Sequence, residues 1–238
     1  MAAGDITDEL LVALGRKLDD AGTAGNYLDG FKFDINTKLD ALNKAQIEFV
    51  NMIDPYYLTE LEVIDPDVDM SSGLKNIEEL SLASVIGSGC SGCNQYANGS
   101  IVLHGKKGIK AIDVKVGGTG SYWADPISVS DMRTYSRGLR KYSDTNILYY
   151  IFGTKIKLLL TTYTGTKADI YWLRIPCEIT QDVDPMINSS FHQIMLDLAT
   201  VHCWPKESEY ETRRADAWTR AFEQIKLLNE KEKNEKIS

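Results

Sequence analysis

Long apolar runs are missing from this chain of 238 residues, and with them any stretch of ~18 residues able to cross a bilayer as a helix. The first residues carry neither a basic segment nor an apolar core, so no secretion signal is expected. Cysteine is scarce: the four residues at 90, 93, 177 and 203 are too few for a disulfide scaffold and are expected to stay free thiols. Histidine is scarcer still, at 104, 192 and 202, with neither an H-E-x-x-H helix nor a G-x-S-x-G elbow. Carboxylates abound, yet none are paired at a spacing that marks an acid and a base. These absences argue against a helical membrane protein, a disulfide scaffold and the familiar hydrolases. The expectation is a non-enzymatic protein with no metal and no cofactor.

What is present is ordinary for a globular chain, 43% hydrophobic and 25% charged, and long enough to bury one sizeable core. The formal charge of -8 is unevenly spread. Residues 1–80 carry 6 basic and 17 acidic side chains, residues 81–180 carry 12 and 6, and residues 181–238 carry 8 and 11. Such a division suits contacts between unlike regions of neighbouring molecules.

Ile6, Leu10, Leu11, Leu14 and Leu18 recur at helical spacing behind Asp5, read as an N-cap, and Gly22 and Gly25 end the pattern. A second amphipathic helix runs from Asp34 to the Asp54-Pro55 step. Its stripe holds Ile35, Leu39, Leu42, Phe49 and Ile53, with Asp40, Lys44 and Glu48 facing away. The helical period is then lost, and strands are expected at 58–64, 80–86, 100–104, 111–116, 148–152, 156–161 and 170–175. Gly153-Thr154 suits a type II′ hairpin loop.

The chain returns to helix over 186–204, with Asp184 as its cap and Pro185 in its first turn. Ile187, Phe191, Ile194, Met195 and Leu198 form one face and Leu196, Ala199 and Cys203 an adjoining one, which places this helix at the centre of a core. Pro205 stops it. A last helix over 207–236 has Tyr210, Trp218, Ala221, Phe222, Ile225 and Leu228 as its apolar residues, and its charged end beyond Leu228 is expected to fray in isolation. The fold class expected is α+β. Residues 1–60 and 183–238 make a helical bundle, one discontinuous domain, around an inserted antiparallel β-sheet or small β-barrel at 61–182.

Most chemical motifs fail on their surroundings. Gly87-Ser88-Gly89-Cys90-Ser91-Gly92 matches G-x-G-x-x-G after a strand, but Asn94, Asn98 and Gly99 intervene before another strand, leaving no helix N-terminus for a phosphate. Cys90 and Cys93 have C-x-x-C spacing, half of a zinc site or a redox pair, and Cys177, His202 and Cys203 do not form a second close pair. His192 and His202 flank Asp197 on the central helix, an arrangement typical of satisfied structural residues. Lys106, Lys107 and Lys110, and Arg133 to Lys141 with Tyr135 and Tyr142, form basic patches. In an acidic chain without a reading helix, these suit an acidic neighbour better than DNA bases.

The combination resembles the head-to-tail connector, or head completion, adaptors of tailed bacteriophages. Residues Leu39-Asp40-Ala41-Leu42-Asn43-Lys44-Ala45-Gln46-Ile47-Glu48-Phe49-Val50 look like that family's early helix, with Asn and Ala within an apolar stripe. Residues 149–160 look like its late hairpin. Residues 179–204 look like its closing pattern, with His192-Gln193-Ile194-Met195-Leu196-Asp197-Leu198-Ala199. The resemblance implies a non-catalytic virion protein of the neck, assembled in the host cytoplasm into a homo-oligomeric ring of about twelve copies beneath the portal. Its partners would be the portal and tail or neck proteins, with double-stranded DNA passing non-specifically through the channel. About twelve acidic subunits would carry roughly -100 formal charge, a repulsive lining for DNA.

Two alternatives stay open: a neck gatekeeper or tail-tube protein using the Gly/Ser-rich loop at 87–100, and a small metal-binding or redox domain using Cys90 and Cys93. For the adaptor, the expected interface residues are Trp218, Phe222, Ile225 and Leu228 with Arg213 and Arg214 on the last helix. Lys106, Lys107, Arg137 and Arg140 in the basic patches complete the set.

Overall fold

The computed structural model describes residues 5–20, 22–76, 109–117, 120–136, 141–153, 155–174, 176–205 and 210–235. The architecture is α+β. The helices are α1 (Asp5–Leu18), α2 (Ile35–Met52), α3 (Met132–Ser136), α4 (His192–Cys203) and α5 (Glu211–Glu235). The strands are β1 (Glu62–Asp69), β2 (Leu74–Asn76), β3 (Ile109–Lys115), β4 (Ser121–Trp123), β5 (Asp125–Pro126), β6 (Leu148–Phe152), β7 (Lys155–Leu159) and β8 (Lys167–Leu173). Two compact units divide the described chain, residues 5–61 with 176–235 and residues 62–174.

In the helical unit, α1 buries Leu10, Leu11, Leu14 and Leu18, as its spacing predicts. Asp5 is its first helical residue rather than its cap. The orphan N–H of Thr7 in that first turn is met instead by Asp184, whose Oδ1 also accepts from the Thr7 hydroxyl. Asp184 is therefore a cap for α1, not for the helix that follows it, and α4 begins later than expected, at His192. A 3-10 turn, Ser189–Phe191, capped by Asn188, leads into it. At its other end α1 closes with paired bonds from Asp19 N–H to Arg16 O and Asp20 N–H to Gly15 O, and Asp19 takes the left-handed φ of 53° that such a stop requires.

Helix α2 starts as predicted at Asp34, whose carboxylate accepts the Thr37 N–H at 2.7 Å. Its buried face is broader than the predicted stripe: Ala41, Ala45, Gln46 and Val50 join Leu42 and Phe49, while Ile35 and Leu39 are half-buried. Lys38 is fully buried. Its ammonium donates to the carbonyls of Tyr27 at 2.8 Å and Leu28 at 3.4 Å, and burial lowers its pKa, with Asp20 the leading opposing charge. Buried Asp20 in turn accepts the N–H groups of Lys32 and Phe33. The loop between α1 and α2 is thus held by one cation on its carbonyls and one anion on its amides. Gly15 leaves room for this: a Cβ there would lie 2.2 Å from the Tyr27 carbonyl oxygen and 3.0 Å from Lys38 Nζ.

Polar side chains of α2 also grip the returning chain. Asn43 donates to Ile179 O and accepts its N–H, and Gln46 donates to Cys177 O and accepts the Met186 N–H. Helix α4 packs against α1, α2 and α5 and buries Ile194, Met195, Leu196, Leu198, Ala199 and Cys203. Trp204 turns extended ahead of Pro205, as a residue before proline does. Helix α5 continues through its charged end to Glu235, and Glu232 near that end is buried, so this stretch is not isolated in the fold.

The other unit is built from two four-stranded sheets, ordered β1-β8-β3-β4 and β2-β7-β6-β5. Their inner faces share one core that includes Val63, Ile112, Val114, Tyr149, Ile156, Leu158, Ile170 and Trp172. The chain passes from one sheet to the other at two corners. Met70 N–H still bonds Thr166 O beyond β8, but Gly73 O already accepts from Leu158 on β7. At the second corner Ala124 N–H bonds Ile112 O on β3, and the next residue, Asp125, bonds Ile147 O beside β6. Each corner makes one run of chain the border of both sheets, giving a six-member barrel, β1/β2-β8-β3-β4/β5-β6-β7, of the kind expected for the insert. Gly73 allows the first corner by its φ of 68°, and a Cβ there would strike the Tyr163 ring at 2.3 Å.

Three short strands were not predicted, β2, β4 and β5. The segment 58–61 is turn rather than strand, with β1 starting at Glu62 and continuing through Pro66. Proline is accommodated because the register slips between Asp65 and Val68, where Asp67 adopts a φ of 52° and gives its N–H to Asp169. β6 and β7 form the predicted hairpin, with Phe152 opposite Lys155. The strands expected at 80–86 and 100–104 lie outside the described residues.

Two predictions follow from buried charge and close packing. Gly15→Ala, which in an open helix would stabilise by about 1 kcal/mol, is expected to cost about 2 kcal/mol or more in a urea melt because the Tyr27 carbonyl must move. Asp65 points into the barrel, and its Oδ2 takes no hydrogen bond from the described residues. Burial raises its pKa above 3.8, against the opposing Trp172 hydrogen bond and Lys75 charge. Stability from the neutral acid is full below 3.8 and lost as pH rises through the folded pKa. Asp65→Asn should therefore raise the denaturation midpoint of this unit more at pH 7 than at pH 3; equal changes would show that the carboxylate is not the cause.

Candidate assembly surface

The helical unit is organised around a buried carboxylate. Asp197, on α4, has a side chain 2% exposed, and its Oδ1 lies 2.7 Å from Lys17 Nζ of α1 and 3.2 Å from Arg220 of α5. Gln193, one turn earlier, donates to Oδ2. A buried acid without cations would cost several kcal/mol, so the pairing fixes how α1 and α5 sit on α4. Arg220 is half exposed, and its share of the pairing is screened by water.

The end of α4 is held to α5 by an aromatic cluster. Trp204 stacks on Tyr210 at 4.6 Å, meets the edge of Phe33 at 5.3 Å, and lies under the Arg213 guanidinium at 5.5 Å. Arg214 donates to Val201 O, one of the last carbonyls of α4. Asn229 bonds both Met52 O and the Asp54 N–H, closing the end of α2 against α5.

This construction separates the expected interface residues. Trp218 and Phe222 face outward, 37% and 48% exposed, their rings stacked at 6.4 Å. Ile225 is 2% exposed and belongs to the protein's own core with Ala217 and Ala221. Leu228 is half-buried, and its carbonyl accepts from the Tyr57 hydroxyl. Arg213 and Arg214 are engaged on α4 as above. Lys106, Lys107, Arg137 and Arg140 lie outside the described residues. Apolar spacing on α5 could not separate Trp218 and Phe222 from Ile225, because which flank is covered depends on where α4 lies.

Chemical groups elsewhere are occupied. His192 Nε2 lies 3.0 Å from Ile187 O, and His202 Nε2 lies 2.8 Å from Glu48 Oε2. Among the described residues no group of three or more His, Cys, Asp or Glu is placed to hold a metal ion. Cys203 is a buried free thiol whose pKa burial pushes up to about 12, far from a reactive thiolate. Cys177 is disulfide-bonded, which corrects the expectation of four free thiols; sequence spacing does not show which sulfurs the fold brings together. His104, Cys90, Cys93 and the glycine-rich loop lie outside the described residues.

Among the described residues no helix is long and apolar enough to cross a membrane. Neither protein-family models nor curated proteins match this chain.

The Asp197 pairing orders its variants. Lys17→Met leaves the buried acid with only the screened arginine and should cost about 2 kcal/mol or more by chemical denaturation. Arg220→Met should cost less than about 1 kcal/mol. Equal costs would mean that the two cations share the acid evenly.

Proposed function

We propose that this protein is a structural virion component, a ring-forming adaptor that sits beneath the portal of a tailed bacteriophage and joins head to tail. The observation that carries the reading is the stacked pair Trp218 and Phe222, left outward on the longest helix of a unit built from both ends of the chain. Exposed, adjacent aromatic rings of this size are the residues that most often anchor protein interfaces. The segments that carry the connector resemblance support it further. The early helix is α2, whose Asn43 and Gln46 hold residues 177–186, and the closing pattern supplies Asp184 and α4. In this reading about twelve copies close into a ring, with portal and tail proteins as neighbours and DNA passing through without base recognition. The protein works in the neck of the virion and catalyses nothing.

Deleting α5 would be a poor test, since Ala217, Ala221 and Ile225 are core residues. The sharper experiment is a mass measurement of the full chain alone and mixed with a portal ring, for the wild type and for Trp218→Ser with Phe222→Ser. The expected result is a defined higher-order complex for the wild type. In the double variant it falls at least tenfold in affinity, while the thermal midpoint moves by the equivalent of about 1 kcal/mol or less. No complex with any portal tested would overturn the adaptor reading, and unchanged assembly of the variant would overturn this face.

A further inference from the structure

We infer that the outer face of the β1-β8-β3-β4 sheet is a binding site for a neutral, linear polysaccharide chain, recognised by a diagonal aromatic pair set among polar side chains. Ile64 on β1, Tyr171 on β8 and Ala111 on β3 lie directly opposite one another in the strand register. Trp123 on β4 lies one row over, opposite Asp113 in the register, and its ring reaches diagonally toward Tyr171, with centroids 5.5 Å apart and a tilt of 48°. The indole is 60% exposed and Ile64 45%, on the face opposite the barrel core.

The flanking rows give the face its chemistry. On one side Glu62 pairs with Lys110. On the other, Asp113 lies opposite Asp169 in register and accepts from the Ser121 hydroxyl, while Lys115 joins Asp169 to Asp67 at 2.8 and 3.1 Å. In these bonds Asp113 and Asp169 use Oδ1, and the described residues offer their Oδ2 atoms no donor. Carboxylates beside hydroxyl groups form strong, charge-assisted hydrogen bonds. A ring face beside them takes the C–H surface of a sugar, an apolar body with a polar edge.

Competing occupants fit less well. Glu62, Asp67, Asp69, Asp113 and Asp169 outnumber Lys110, Lys115 and Lys167, so the face does not favour a nucleic acid or an anionic membrane. A second protein broad enough to cover the sheet would have to desolvate the Glu62–Lys110 and Asp169–Lys115 pairs, which is costly. A single sugar chain lies across the Tyr171 and Trp123 rings and leaves those pairs wet. The inference does not depend on the adaptor reading, since one copy holds the whole site.

The test is native affinity electrophoresis of the full chain in gels cast with hydroxyethyl cellulose, dextran or glycol chitin, alongside plain gels and gels with double-stranded DNA. Retardation by at least one neutral polymer is expected. Trp123→Ala should reduce it at least tenfold with an unchanged thermal midpoint, and Asp113→Asn severalfold. Migration unaffected by all three polymers would overturn the proposal. So would retardation that survives Trp123→Ala, or that is stronger with DNA. Ring assembly is read separately by mass, so either idea can fail while the other stands.

Discussion

A carboxylate that water cannot reach organises the helical unit. Asp197 sits on α4 with its charge answered from α1 by Lys17 and from α5 by Arg220, so one buried anion sets the placement of three helices. Apolar burial supplies the bulk of the stability but is tolerant of small slides between helices. An ion pair at 2.7 Å is not. The same logic recurs at smaller scale where Lys38 and Asp20 hold the α1–α2 loop by its carbonyls and amides.

Long-range capping is the second theme. Asp184 serves Thr7 across 177 positions, Asn43 serves Ile179, and Asn229 serves Met52 and Asp54. Each satisfies backbone groups that would otherwise be stranded at a helix end or in a non-regular segment. Together they bind residues 5–61 to residues 176–235 by directional contacts, so the two ends of the chain recognise each other by more than shared greasiness.

Much of this was legible in the residues and some was not, for definite reasons. The periods of α1, α2 and α4 were readable because each is amphipathic or broadly apolar, and the Asp34 cap and the β6–β7 hairpin follow local rules. Lys38 was unreadable as a buried residue, since its partners are main-chain carbonyls eleven and ten positions away. Asp184 looked like a cap for the following helix because Pro185 comes next, and only the fold shows that the open helix end nearby is that of α1. The strands β4 and β5 are too short for alternation to register, which hid Trp123 from view. On α5 the spacing correctly marked apolar residues, but exposure divides them by neighbours that no local pattern names.

The two corners of the barrel carry a consequence for crowding. Because β1 runs into β2 and β4 into β5, the borders of each sheet are spent on joining it to the other, and the outer side of β1 is broken by Pro66 and the left-handed Asp67. Main-chain amides and carbonyls are therefore poorly presented for strand-by-strand growth onto another copy. Through the described strands, crowded copies would not zip into fibrils. Any lasting contact made through these strands would be written in side chains, where a single substitution can erase it.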